Sequence, residues 1–212
     1  MIEIIPSLLV YNEEECKIKI ASLGQSVSMI QLDIADGIFV ANKTWADPKV
    51  VAACAQTEIE LHLMVQNPLE ELLRWREIPL IKRVHFHFES MSENIDNTIL
   101  AIREAGYEVG IALRPETSID VLEPYINDID AVLFLSVEPG AQGREFQSTV
   151  LEKIKEFRTR GYNHFVEIDG GVNEITLPKI IAAGVDAVCP GSAIFGYGNA
   201  HENVKKMEKL LN

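Results

Sequence analysis

The sequence predicts an α/β protein folded as a closed (β/α)8 barrel, the TIM-barrel architecture. Three observations carry that reading. Short β-rich runs alternate with segments of helical period from one end of the chain to the other. The runs are apolar on both faces or nearly so, as parallel strands covered by helices must be. Eight such units fit in 212 residues without a long polar linker, which suits a closed barrel better than an open doubly wound sheet. No low-complexity segment or charge block interrupts the pattern, so residues 1–212 are expected to form a single barrel domain.

Taken in order, the first strand is expected in "EIIPSLL" (3–9) and the second in "MIQLDIA" (29–35). Strands three to five follow in "IELHLMV" (59–65), "RVHFHFE" (83–89) and "EVGIALR" (108–114). "AVLFLSV" (131–137), "HFVEIDG" (164–170) and "AVCPGSA" (187–193) complete the set. Helical period appears in "NPLEELLRWREI" (67–78) and again over 92–106, with Ser92 as N-cap and Gly106 as stop. Helices over 148–161 and 174–184 end in the same way, on Gly161 and Gly184. A glycine after the last apolar position supplies the left-handed residue that terminates a helix.

Composition narrows the function. A net charge of −13 argues against nucleic acid, whose phosphates demand a basic surface. It gives no long-range help to an anionic ligand either, so any phosphate site must be built locally. Cys16, Cys54 and Cys189 are few, widely spaced and without a CxxC, which fits reduced thiols in a cytoplasmic protein. The opening "MIEIIPSLLVYNEEE" lacks a basic n-region, and no apolar run reaches the ~18 residues of a membrane span. A cytoplasmic protein without membrane contact is expected.

In such a barrel the chemistry sits at the C-terminal strand ends, so polar residues inside strands are the informative ones. Gln31 and Asp33 share a face of strand two, because side chains alternate with period two. His62 lies on strand three, His85 and His87 on strand four, and Glu167 and Asp169 on strand seven. Two carboxylates with one or two histidines there fit a divalent metal site, a two-base proton-transfer site, or a buried hydrogen-bonded network. The loops "VEPGAQGREF" (137–146), "DGGVN" (169–173) and "PGSAIFG" (190–196) are rich in glycine. Glycines let backbone N–H groups approach an anion, and a short helix after strand eight adds its positive end. These loops are expected to cradle a phosphate.

The order and spacing of seven landmarks resemble the ribulose-phosphate 3-epimerase family. They are "PSLL" (6–9), "LDIADGIFVAN" (32–42), "ELHLMVQNP" (60–68), "VHFHFE" (84–89), "SVEPGAQGREF" (136–146), "VEIDGGV" (166–172) and "GSAIFG" (191–196). The resemblance runs nearly the whole chain. It implies a barrel that interconverts D-ribulose 5-phosphate and D-xylulose 5-phosphate in the pentose phosphate pathway. A divalent metal (zinc, iron or manganese) and a homo-oligomer are implied with it. Residue by residue, it makes Asp33 and Asp169 the two acid/base carboxylates, which also hold the metal with His62. Ser7, Met64 and His87 are implied at the substrate, and Gly143, Gly170, Gly171, Gly191 and Ser192 at its phosphate.

Departures cluster at the same place. Gln31 stands where the family's fourth metal ligand is a histidine, and an amide oxygen is a poor substitute for imidazole. Ala35 and Leu135 replace family methionines, Ala141-Gln142 replaces a Phe-Gly pair, and Arg114 ends strand five where a neutral residue is usual. Arg114 is expected either to neutralise an anion or to pair with Glu116 or Glu138. Two further readings follow: an epimerase acting on another sugar phosphate, such as a hexulose 6-phosphate, or a phosphosugar-binding protein with reduced catalysis. The related phosphosugar decarboxylases and aldolases carry a lysine between aspartates on strand two, and "LDIADG" has none.

Overall fold

The computed structural model describes residues 2–90, 95–140 and 145–211. Its strands are β1 (Glu3–Ile4), β2 (Ser7–Leu8), β3 (Met29–Ala35), β4 (Glu58–Met64) and β5 (Ile81–His87). They continue with β6 (Glu108–Leu113), β7 (Ala131–Leu135), β8 (Phe165–Asp169) and β9 (Ala187–Cys189). Neighbours follow the order β1-β9-β8-β7-β6-β5-β4-β3-β2, and all pairs are parallel. Since β1 and β2 are halves of one stretch, the order returns on itself and closes the expected barrel.

Pro6 accounts for the break between those halves. It has no N–H to give a ladder, yet its carbonyl accepts from Gln31 N at 3.0 Å. On the opposite side, Ile5 and Ser7 donate to the carbonyls of Val188 and Pro190 at 3.0 and 3.1 Å. The last strand, β9, stops at Cys189 rather than running to residue 193, because Pro190 cannot donate and a helix starts at Ser192.

The helices are α1 (Glu13–Leu23), α2 (Pro48–Cys54), α3 (Pro68–Trp75), α4 (Ile95–Glu104), α5 (Thr149–Thr159), α6 (Leu177–Ala183), α7 (Ser192–Phe195) and α8 (Ala200–Leu211). In the fifth unit a 3-10 segment, Ile119–Tyr125, takes the helix's place, with Pro124 inside it. Asn12, Asp47 and Asn67 cap α1, α2 and α3 by accepting from Glu15, Val50 and Glu70 N–H. The expected cap Ser92 lies outside the described residues, while Gly106 follows α4 at φ 85 and Gly184 closes α6 at φ 92. Helix α6 starts later than 174 because Asn173 Oδ1 takes the N–H groups of Ile175 and Thr176, at 2.9 and 3.2 Å, into a local turn.

Alternation divides each strand between two environments. Ile30, Leu32 and Ile34 of β3 join the large apolar cluster under the helices, with Trp75, Phe134 and Phe157 among its fully buried members. The ring's interior holds a smaller cluster including Ile5, Met29, Leu133 and Cys189. Gln31 and Asp33 point to that inner face and are almost wholly buried.

Candidate active site

Asp33 and His62 are register partners across the β3–β4 ladder, so two adjacent inward positions bring them together. Asp169 enters from β8, at the end where Ser136 fixes the turn. Ser136 N donates to the Asp169 carbonyl at 2.8 Å, and its hydroxyl donates to the same carbonyl at 3.0 Å and to that of Gly170. His62 Nδ1 lies 2.9 Å from Asp33 Oδ1 and 3.7 Å from Asp169 Oδ2. The Gln31 amide bridges the two acids, Nε2 donating to Asp33 Oδ1 at 3.1 Å and to Asp169 Oδ2 at 3.0 Å. All four side chains are buried. Burial, with repulsion from Asp33 added, pushes the Asp169 carboxyl up to about 7. A pair in which one acid resists ionisation holds one proton between two carboxylates near neutral pH.

Behind His62 stands a second histidine and a second acid. His87 Nε2 is 2.9 Å from His62 Nε2, and His87 Nδ1 is 3.2 Å from Glu89 Oε2. Burial works to raise Glu89, but hydrogen bonds from His87, the Thr117 hydroxyl and Arg114 N hold it down to about 2. An ionised Glu89 only accepts, so His87 Nδ1 carries a proton. Burial pushes His87 down to about 4, so the ring is neutral and its Nε2 is the acceptor. His62 then donates through Nε2, which leaves Nδ1 as the ring nitrogen turned toward Asp33 and Asp169. Two acceptors 2.9 Å apart require a proton or a cation between them. The donor set of Asp33, His62 and Asp169, whose ligand atoms lie within 4.8 Å of one another, therefore suits a divalent cation.

The cavity over this cluster is walled by Ser7, Met64, Asp33, His62 and Asp169, with Gly170, Gly171, Gly191 and Ser192 on the side of the last two loops. Gly170 and Gly171 have φ of 99° and 60°. A Cβ on Gly170 would sit 2.5 Å from Val137 Cγ2, and one on Gly171 would sit 2.9 Å from Phe146 Cβ. Only glycine gives this turn after Asp169. Gly191 precedes α7, whose first N–H groups have no carbonyl within the helix to bind. Leu135 and Val137 add apolar wall. Gly143, Ala141 and Gln142 lie outside the described residues.

The structure places several polar side chains away from the cavity. His87 does not line the cavity; it is wholly buried behind His62 and packs on Phe39 at 4.9 Å. His85 and Glu167 do not join the upper cluster. Strand tilt places His87, not the register partner His85, at the height of His62. His85 and Glu167 instead form a lower layer with Glu60 and Arg83, all buried. There Arg83 Nη1 donates to Glu167 Oε1 at 2.5 Å and to Glu60 Oε2 at 3.2 Å, and Glu108 takes its other nitrogens at 2.7 and 3.0 Å. Period two reports the face of a strand but not the height at which a side chain sits in a tilted barrel. Asp36 is likewise not at the chemistry; it accepts from Ile38, Phe39 and Gln66 N–H groups at 2.7, 2.9 and 2.6 Å and ties two loops together.

Arg114 takes the paired role. Its guanidinium stacks on Phe39 at 4.5 Å, donates to the Phe39 carbonyl at 3.3 Å and stands 3.9 Å from Glu138. Glu89 is what the sequence reading missed. It follows His87 at a spacing of two, and an acid placed so on a strand end signals a partner for an imidazole.

The cysteines are unpaired, and burial pushes the Cys16 thiol up to about 11, so it is no nucleophile. No helix among the described residues is long and apolar enough to cross a membrane.

Several solved structures share the fold. KGPDC from Streptococcus mutans superposes with a TM-score of 0.79 at 12% identity over 99% of this chain and 97% of its own. The 3-hexulose-6-phosphate synthase from Salmonella typhimurium gives 0.73 at 13%, over 99% and 98%. Closer in sequence is the ribulose-phosphate 3-epimerase of Bacillus subtilis (strain 168), 31% identical over 98% of both chains. That of Escherichia coli (strain K12) is 30% identical over 90% of this chain and 87% of its own. The ribulose-phosphate 3 epimerase family matches residues 3–195. On that match and those two relatives, the chain belongs to the ribulose-phosphate 3-epimerase family, a family of isomerases.

Proposed function

We propose that the protein interconverts D-ribulose 5-phosphate and D-xylulose 5-phosphate by proton transfer at C3. The observation that carries this is the buried pair Asp33 and Asp169, bridged by one amide and sharing a cavity with two glycine-bearing loops. Inverting a carbon next to a ketone needs a base on one face and an acid on the other. Asp33 takes the C3 proton, and the C–H electron pair moves into the enediolate. Asp169, its carboxyl raised to about 7 by burial and by Asp33, delivers a proton to the opposite face of C3. The reverse direction exchanges the two roles.

His62 is held by His87 and Glu89 at a fixed tilt beside both acids, so its ring does not swing when the charge moves. Asp33, His62 and Asp169 would hold a divalent metal, which supplies positive charge to the oxygens of the enediolate when bound. Backbone N–H groups at Gly171, Gly191 and Ser192 receive the phosphate, which fixes C3 between the carboxylates. Met64, Leu135 and Val137 keep water from the reacting carbon.

Incubation of the purified protein with D-ribulose 5-phosphate, followed by proton NMR, tests this reading. Appearance of D-xylulose 5-phosphate, with no conversion of unphosphorylated D-ribulose, is the expected result. Conversion of a hexulose 6-phosphate in preference to the pentulose would overturn the substrate assignment while leaving the chemistry in place.

A further inference from the structure

Gln31 occupies the place between the two acids, and its partners are unequal. Nε2 has two carboxylate oxygens within 3.1 Å, whereas Oε1 is buried with no hydrogen-bond partner. A buried amide oxygen left unpaired costs on the order of 1–3 kcal/mol. The opposite orientation would aim Oε1 at two carboxylate oxygens and leave Nε2 where no acceptor lies, so the observed one suits a site containing two acids and no cation. Its N–H groups carry partial positive charge to the point where the negative charge is concentrated. A cation entering among Asp33, His62 and Asp169 reverses the preference: the N–H groups then face positive charge, and Oε1 becomes a fourth oxygen or nitrogen donor.

We propose that Gln31 is a positioning residue that holds Asp33 and Asp169 together through its N–H groups in the cation-free protein and turns its carboxamide to ligate when a divalent cation enters. The aspartate pair is therefore assembled before any metal arrives, and the cation is held as an exchangeable partner rather than as the structural centre of the site. A carboxamide oxygen is a weaker donor to zinc than imidazole, and the turn must first break two hydrogen bonds, so cation affinity is low. The proposal rests on the two-aspartate reading above.

The test uses chelator-stripped full-length protein labelled with 15N on glutamine side chains, with Gln31→Leu to assign the resonance and Zn2+ as the probe. In the stripped protein the Gln31 NH2 pair is expected downfield of free amides, and Zn2+ is expected to move it back saturably. Calorimetry is expected to give Gln31→His roughly 10- to 100-fold tighter Zn2+ binding than wild type. Stripped wild type is expected to keep C3 exchange on D-ribulose 5-phosphate. Stripped Gln31→Leu is expected to lose about 100-fold in kcat with KM little changed, and added Zn2+ is expected to restore it, since a cation can take the amide's place. Recovery by a cation separates positioning of the acids from a general packing defect. NH2 resonances at the free-amide position and indifferent to Zn2+ would overturn the proposal. So would a wild-type protein that retains a full equivalent of metal through chelation. If stripped and loaded wild type both fail to exchange C3, the epimerase reading falls, and the NH2 resonances still decide the role of Gln31.

Discussion

Asp33 and Asp169 were legible in the sequence because Asp33 interrupts an apolar strand run and Asp169 ends one, where an unpaired carboxylate is too costly to keep without a partner. The role of Glu89 was not, since only the structure shows His87 turned back from the cavity and onto it. At this scale the Glu89 carboxylate is expected to govern acid stability. Its value falls from an ordinary 4.5 to about 2 on folding, so its contribution is present above pH 4.5 and lost as pH drops toward 2. The shift corresponds to at most about 3 kcal/mol. Denaturant unfolding of Glu89→Gln and wild type is expected to show a deficit at pH 6 that shrinks steadily by pH 2.5. A deficit independent of pH would contradict the account of Glu89 as an ionised anchor. The same variant is expected to lower kcat through His62, with KM changed less, in steady-state assays at neutral pH.

Strands and loops were readable to within a few residues because two-sided burial leaves a plain apolar signature. The split of the first stretch into β1 and β2 at Pro6 follows from a missing donor, and the shortening of β9 from Pro190. Which inward residues meet was not readable, because strand tilt sets height. His85 and Glu167 thus fell into a layer of their own, and room for His85 comes from its neighbour on β6. A Cβ at Gly110 would lie 2.0 Å from His85 Nδ1. Gly110→Ala is therefore expected to destabilise by about 1–3 kcal/mol through overpacking, measured by thermal unfolding. A variant as stable as wild type would show that the ring moves aside freely. On the loop after β8, Gly171→Ala carries both a φ of 60° and a clash with Phe146. It is expected to raise KM for the phosphorylated ketose more than it lowers kcat; the opposite split in steady-state kinetics would remove that loop from the phosphate.

Across the whole molecule, the interior of the ring carries two polar layers, one at the cavity and one beneath it. The lower layer stays in place because its acids are partnered: Arg83 and His85 face Glu167 and Glu60, Glu108 closes the end, and burial with repulsion from Glu167 pushes the Glu60 carboxyl up to about 8. Attraction to those acids outweighs burial and raises His85 to about 9, while Glu167 is held down to about 2. Removing the guanidinium alone leaves Glu60 and Glu167 buried with only His85 to face them. Arg83→Met is expected to cost about 3–5 kcal/mol in urea unfolding, and a loss below about 1 kcal/mol would mean that water reaches this layer. Substrate reaches the upper layer against a net charge of −13, so the glycine loops supply binding that long-range attraction does not.

The two-aspartate account is tested most directly by solvent exchange at C3 of both epimers in heavy water, for wild type, Asp33→Asn and Asp169→Asn. Wild type is expected to place deuterium at C3 during interconversion of D-ribulose 5-phosphate and D-xylulose 5-phosphate. Each variant, folded by circular dichroism, is expected to exchange at most one epimer and to interconvert neither, a loss of at least about 100-fold. Interconversion by either variant at a rate near wild type, or epimerisation without deuterium at C3, would contradict it.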